Sequence, residues 1–382
     1  MKITVVADVL GEENNGTTIA CMNLVRYLKS CGDDVRIVCC DQSKIGVEGY
    51  YVVGTYNLGS FLNKVVEKNN VSLAKPDKQI LYDAIKDADA VHIMIPFALG
   101  KAAAKIAKKL GKPITAGFHA QAENFTSHIG MMNKKSVNHI TYKAFYKGLY
   151  RYADAIHYPT AFIRDVFESN IRKKTNGYVI SNSVNKEFVA KKAEKPEELK
   201  SKFVILFTGR YSKEKSHKVL IKAVAMSKYK DSIQLIFAGQ GPQTDKLRAY
   251  AQKQQITMPI MKFFTRDELI NIINYSDLYC HPAEIEIEAI ACLEAISCGL
   301  VPIIANSPRC ATKSFALDDK NLFRYNNAED LAKKIDYWIE HPDEKVERAK
   351  AYLGYASRFE QEECMHEMRQ MIVDTIAAKK RS

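Results

Sequence analysis

Two glutamates eight residues apart, Glu286 and Glu294, carry the first chemical signal in this sequence. They lie in DLYCHPAEIEIEAIACLEAISCGLVPIIAN, residues 277–306, which reads as a short strand, a loop, a helix closed by Gly299 and an apolar strand over Val301–Ala305. A glycine just past the last periodic residue is where a left-handed helix cap belongs. Glu286 stands in the loop and Glu294 on the helix, between Leu293 and Ala295. At 1.5 Å rise per residue the pair is separated by about 12 Å along the axis, too far to share one proton and a fair span for two ends of an elongated polar ligand. A solvated surface position is the bland alternative for Glu294. Its apolar flanks argue against that, because a charge in such a setting needs a partner.

A second constellation follows the apolar run Phe203–Phe207: Thr208-Gly209-Arg210-Tyr211-Ser212-Lys213-Glu214-Lys215, with a helix starting near Ser216. Arg210 and Lys215 then stand at a strand's carboxyl end beside a helix N-terminus. That suits a diphosphate, for which arginine offers a fork of donors and lysine a movable charge; surface salt bridging is the alternative. Gly239-Gln240-Gly241-Pro242 follows a second buried strand, Ile233–Ala238, as a tight turn or as a loop close to a nucleotide. Phe263 and Phe264 precede Thr265 and Glu268, which are spaced as a capping box. In the first half His119 closes the strand Ile114–Phe118, at the end where ligands of open α/β sheets bind. Glu123 and His128 follow it in a loop that could face an acceptor. Gly16 lies between the first strand and a helix with Ala20, Leu24, Val25 and Leu28 on one face, a place for an anion or a sugar. A hydrogen-bonded loop histidine and an ordinary turn are the bland readings of these two.

A glutamate, seven residues, a second glutamate in LEA, a small-residue turn and PxIA, with the GR…EK spacing at Gly209–Lys215, resemble the signature of family 4 glycosyltransferases. The resemblance implies retaining, nucleotide-sugar-dependent chemistry in the GT-B fold: two doubly wound, Rossmann-like α/β domains facing across a cleft. It implies that Arg210 and Lys215 stabilise the leaving diphosphate and that Glu294 accepts hydrogen bonds from ribose. It implies that Gly16, Gly239 and Gly241 lie near the donor and that Phe264 belongs to the segment touching the base. His119, positioning the sugar, and Glu286, accepting from a sugar hydroxyl, are the expected catalytic residues. Attack from the same face, assisted by the departing phosphate, is the expected route. No DxD-like pair stands at a strand end, so the nucleotide sugar is expected as co-substrate with no cofactor and no essential metal. The chain departs from the family in two places. Ile287-Glu288-Ala289 replaces the usual Gly-Phe-Gly after the first glutamate, and Asn15-Gly16 matches half of a Gly-Gly pair.

The elements that must position these residues alternate strand and helix along the chain, the pattern of a parallel sheet covered on both faces. With 382 residues, 47% of them hydrophobic, the chain is too long for one ordinary core. The expected division is an acceptor-side domain over 1–182, a linker over 183–202, a donor-binding domain over 203–355 and a C-terminal helix over 356–382 crossing back. Helices are expected near 60–69 and 77–86, and one long helix over roughly 342–378. The N-terminus reads as a buried strand and is too short for a signal peptide. No apolar run approaches the length of a membrane span, and nine scattered cysteines without metal spacing read as reduced core residues of a cytosolic protein.

The formal net charge is +12, and residues 101–185 hold 14 Lys and Arg against 4 Asp and Glu, a net +10. Such clustering favours an anionic partner. Residues 134–152 interleave Lys134, Lys135, Lys143 and Lys147 with Tyr142, Phe145, Tyr146, Leu149 and Tyr150. This suits a membrane interface, single-stranded nucleic acid, or a packed helix with solvated lysines. With the family resemblance, the expectation is a peripheral enzyme on the inner face of the cell membrane, moving a hexose, glucose from UDP-glucose first, to a lipid such as diacylglycerol. A soluble or cell-surface polysaccharide acceptor is the main alternative, and a sugar phosphorylase a minor one. A non-enzymatic nucleic-acid binder is remote, since it leaves the paired glutamates unexplained.

Overall fold

Apolar runs of four to six residues, joined by helices too long for hairpins, leave the strands no arrangement but parallel. The computed structural model describes residues 1–8, 10, 16–56, 74–127 and 131–381. The first sheet holds β1 (Lys2–Val6), β2 (Asp34–Cys39), β3 (Tyr50–Val52), β4 (Ala90–Ile93), β5 (Ile114–Gly117), β6 (Ala155–Tyr158) and β7 (Gly177–Val179). The second holds β8 (Phe203–Thr208), β9 (Ile233–Ala238), β10 (Ile260–Lys262), β11 (Leu278–His281), β12 (Pro302–Ala305) and β13 (Leu322–Phe323). Their orders are β3-β2-β1-β4-β5-β6-β7 and β10-β9-β8-β11-β12-β13, parallel throughout. Chain order reverses between β1 and β4 in one sheet and between β8 and β11 in the other. At such switch points the loops leaving adjacent strands diverge and open a crevice at their carboxyl ends.

The chain falls into two compact units, Met1–Ser183 with Gln361–Ser382, and Val184–Glu360. The expected linker over 183–202 is not a free connector, because Val184, Phe188 and Leu199 are buried in the second unit's core. The expected single C-terminal helix is two. Pro342–Ala356 belongs to the second unit, a short turn over Ser357–Phe359 ends it, and Gln361–Arg381 packs in the first unit. That last helix is held by its buried Met365, Met368, Met371 and Ile372 and by Arg369, whose Nε donates to Asp33 at 2.8 Å. The strands β3, β7, β10 and β13 are two or three residues long and lie at or beside sheet edges. Runs so short carry too little alternation to be read from sequence. The helix expected near 60–69 lies outside the described residues.

One contact sets the switch point of the first sheet. Asp8, just past β1 and 1% exposed, accepts hydrogen bonds from the Leu99 and Gly100 N–H groups at 2.9 Å each. The helix Ala98–Lys109 has no side-chain cap of its own, so a carboxyl from a distant strand satisfies two of its orphan donors. Burial pushes the Asp8 pKa up to about 6, although the two N–H groups and Lys101 oppose the shift. Replacing Asp8 by alanine should cost about 1–2 kcal/mol in a denaturant titration, the range of a lost helix cap. An unchanged midpoint would mean that the helix start finds other acceptors.

Candidate active site

The second sheet's switch point brings the two chemical constellations together. After β8 the chain passes through Gly209 and Arg210, makes one tight turn over Lys213–Lys215 and enters the helix His217–Met226 through Ser216, in the left-handed region at φ 54°. After β11 it runs from Pro282 to Ala289 before the helix Ile290–Ser297. Between these loops the Lys215 ammonium meets Oε1 of Glu286, and His281 Nε2 approaches the same oxygen at 3.5 Å. The Glu284 N–H donates to the Glu214 carbonyl at 2.8 Å, a second tie between the loops. The Glu284 carboxylate is itself paired with Arg309.

The electrostatics follow from this packing. Burial works against a charge on Glu286, yet Lys215 and His281 hold its pKa down to about 2. Burial likewise works against the Lys215 charge, and Glu286 more than offsets it, raising the pKa. His281 is 1% exposed, and burial lowers its pKa, with Lys215 adding to the shift and Glu286 opposing it. Arg210 is half-buried, and burial lowers its pKa while Glu214 opposes.

Glu294 is different. It is half-buried on the helix Ile290–Ser297, and its carboxyl makes no hydrogen bond or ion pair with any described residue. Burial pushes its pKa up to about 7, with Arg266 the one opposing charge. A half-buried carboxyl with no protein donor is poorly solvated, and hydroxyl groups of a ligand would relieve it.

The glycine loop after β9 is explained by the neighbouring backbone. A Cβ on Gly239 would stand 2.1 Å from the Gly209 carbonyl oxygen, and one on Gly241 2.7 Å from the Tyr211 backbone. Tyr211 N–H donates to Gln240 O and Gln243 N–H to Tyr211 O, each at 3.0 Å. These glycines therefore seat their loop directly on the segment bearing Arg210. Phe264 is half-buried with the Lys262 ammonium 5.1 Å from its ring centre. The capping box of Thr265 and Glu268 is formed.

In the first unit His119 follows β5, and its ring folds back over Gly117, 5.4 Å from the ring of His157. Burial lowers its pKa well below the usual value, and His157 and His92 add to the shift, so the imidazole is neutral near pH 7. Gly16 opens the helix Gly16–Ser30 and is exposed. Residues 11–15 and His128 lie outside the described residues. Glu123 accepts a hydrogen bond from the Tyr142 hydroxyl at 2.6 Å.

The basic aromatic segment divides by face. Lys134, Lys135, Lys143 and Lys147 are exposed, whereas Tyr142, Phe145, Leu149 and Tyr150 are at most 5% exposed. The expected aromatic foothold on a membrane is thus corrected for Tyr142, Phe145 and Tyr150, whose rings are core, while Tyr146 is half-buried with the Lys173 ammonium 5.5 Å from its ring centre. Phe118 stacks on Tyr150 at 5.0 Å and meets Phe167 at 4.6 Å, and the Tyr150 hydroxyl donates to Gly117 O at 3.1 Å. They pack the strand end that carries His119. The exposed apolar side chains nearby include Ile140 (66%), Phe125 (51%) and Met131 (37%).

Two family models match adjoining stretches: Glycosyltransferase Family 4 over residues 14–188, and Glycosyl transferases group 1 over residues 188–353. The chain belongs to glycosyltransferase family 4. An alpha-monoglucosyldiacylglycerol synthase of Streptococcus pneumoniae is 26% identical over 57% of this chain, which spans about half, 52%, of that relative's length. The catalytic domain of a Helicobacter pylori cholesterol-alpha-glucosyltransferase is 48% identical, covering 41% of this chain and 98% of that one, with a TM-score of 0.40. Anabaena HepE, solved with UDP and glucose, is 16% identical and covers 98% of this chain and 100% of its own, with a TM-score of 0.74. The last likeness shows the fold: two Rossmann-like domains of the GT-B class.

In this family 4 chain the loop after Glu286 takes, at one position, a backbone conformation that favours glycine. Ala289, where the second glycine of the usual Gly-Phe-Gly would stand, is left-handed at φ 68°. A residue with a Cβ pays about 1–2 kcal/mol for that conformation. Sequence reasoning missed His281, Arg309 and this strained alanine. Only His281 left a signal, as a polar residue ending an apolar strand.

Two outcomes follow for the site. Ala289→Gly should raise stability by up to about 1 kcal/mol, read from the chemical denaturation midpoint; a loss would mean that the alanine methyl packs favourably enough to repay its strain. The Glu294 pKa of about 7 in the folded chain exceeds the ordinary carboxylate value. The stability linked to its proton is therefore complete at low pH and lost as pH rises through about 7. Glu294→Gln removes that loss, so its stability relative to the parent should improve between pH 5 and 8. A pH-independent difference would sink the buried-carboxyl assignment.

Proposed function

We propose that this family 4 glycosyltransferase is a retaining enzyme that moves glucose from UDP-glucose to a hydroxyl of a membrane lipid such as diacylglycerol. It would act as a peripheral protein on the anionic inner face of the cell membrane. The observation that carries the donor assignment is Glu294, a half-buried carboxyl with no partner among the described residues, on the helix that follows the Glu286 loop. Ribose hydroxyls supply the donors it lacks. Arg210 and Lys215, at the end of β8, stabilise charge on the departing diphosphate. Glu286 accepts from a sugar hydroxyl, and Gly239, Gly241 and Phe264 line the nucleotide end. Gly16, at the start of the helix Gly16–Ser30, is a further donor-binding candidate. His119, neutral near pH 7, orients the sugar by hydrogen bonding rather than as a cation. The acceptor attacks the same face, with the leaving phosphate taking its proton, and no cofactor or essential metal is required.

The lipid acceptor is supported by the synthase relative and by the exposed lysines 134, 135, 143 and 147 beside exposed Ile140. No helix among the described residues is long and apolar enough to cross a membrane. Each lysine at an anionic surface contributes about 1 kcal/mol, screened within about 8–10 Å.

Purified protein with labelled UDP-glucose, offered anionic vesicles with diacylglycerol or a sterol, or a soluble glucan, tests the reading. Labelled α-glucosyl diacylglycerol should form and should persist in EDTA. Transfer to glucan alone would overturn the lipid acceptor, a β-linked product the retaining route, and loss in EDTA the metal-free one. Arg210→Ala and Glu294→Gln should each weaken UDP binding about 10- to 100-fold in calorimetry, and unchanged binding in both would sink the donor site. Replacing Lys134, Lys135, Lys143 and Lys147 by glutamine should abolish salt-sensitive co-sedimentation with anionic vesicles while sparing UDP binding. Undiminished sedimentation would remove the lysines from the membrane contact.

A further inference from the structure

Both protein partners of Glu286 use one of its two oxygens. The Lys215 ammonium and His281 Nε2 each approach Oε1, and Oε2 has no described partner. A carboxylate rotates about its last bond, so the choice of oxygen matters to whatever ligand the other must meet.

Lys215 is a poor sole anchor. It is flexible, and in the proposed reaction it is drawn toward the donor diphosphate, leaving Glu286 with less of its charge compensated in a low-dielectric setting. His281 has no such freedom. It sits at the end of β11, paired in register with Ile304 of β12, 1% exposed and flanked by the rings of Phe207 at 5.6 Å and Tyr279 at 6.1 Å. With the imidazole neutral, a contact to a carboxylate oxygen requires the proton on Nε2. At 3.5 Å Nε2 stands just short of a hydrogen bond and has no other partner among the described residues while Lys215 occupies the same oxygen. Such bonds often tighten only when the substrate is bound.

We propose that His281 is a positioning residue for Glu286, donating from Nε2 to Oε1 and so keeping Oε2 as the oxygen offered to the donor sugar. This rests on the assignment of Glu286 to the sugar. The role is taken up when Lys215 turns to the diphosphate: the rigid imidazole then holds the carboxylate that the lysine has released. His217, the other buried imidazole of this region, cannot substitute, because its ring is packed against Phe207, Phe237 and Tyr211 and has no described contact with Glu286.

The test separates positioning from packing. His281→Gln places an amide N–H close to where Nε2 stands, whereas His281→Phe fills the volume without a donor. Both variants are first checked for an unchanged thermal transition. His281→Gln should then retain UDP-glucose turnover within about threefold. His281→Phe should lose about 10- to 100-fold in kcat, the worth of one hydrogen bond to a charged group, with UDP affinity within about twofold of the parent. Equal losses in both variants, or no loss in His281→Phe, would overturn the proposal. Glu286→Gln is the control for the underlying assignment. If it leaves turnover intact, the reading of Glu286 fails; if it is inactive while His281→Phe is normal, only the role of His281 fails.

Discussion

The contact on which the site depends is the ion pair of Lys215 with Glu286 across the second sheet's switch point. Neither partner is comfortable alone, since removing one member of a largely buried pair leaves an uncompensated charge with little access to water. Because one charge comes from the loop after β8 and the other from the loop after β11, the pair closes two loops whose strands are neighbours but whose sequences lie 71 residues apart. Once closed, it draws in the rest. The Glu284 amide meets Glu214, Arg309 meets Glu284, and the Glu286 carbonyl accepts from Ala311 at 2.9 Å. The pair also opposes the effect of burial on protonation, holding the Glu286 pKa down where burial raises it.

The two glutamates thus play unlike parts because of where their partners are. Glu286 has its cation inside the protein and is charged without a ligand. Glu294 has none within contact, so burial carries its pKa to about 7. A site in this condition is poised, with one carboxylate fixed in place and another awaiting hydroxyl donors. The cost of the unpaired one is a small destabilisation at neutral pH, of the kind that binding sites carry and ligands relieve.

The segment 134–152 shows how one pattern serves two ends. Interleaved lysines and aromatics look like a single amphipathic signal, but the helix Lys135–Phe145 and the widened turn Tyr146–Tyr150 sort them by face. Tyr142 and Tyr150 pack against Phe118 and brace the strand end that carries His119. The lysines remain outside, contributing charge and no buried area. A pattern of residue types records that both are present in one helix, not which of them water sees.

Much of the architecture was legible because it is local. The run Ile233–Ala238 is buried throughout and reads as a strand with the bounds observed, and Thr265 with Glu268 announced a capping box that forms. The resemblance of Glu286, Glu294 and the Arg210–Lys215 spacing to family 4 was also in the residues themselves. Tertiary structure decided what depends on neighbours distant in the chain. It put Asp8 on the helix at Leu99, made the stretch after Ser183 part of a core, and broke the C-terminal helix at Ser357. It set Lys215 on Glu286 rather than free in a loop, and brought His281 to the same oxygen. Periodicity reports which side of an element is buried, but not which element does the burying. The partner of a buried charge is found only once the sheet order has made strands 70 residues apart into neighbours.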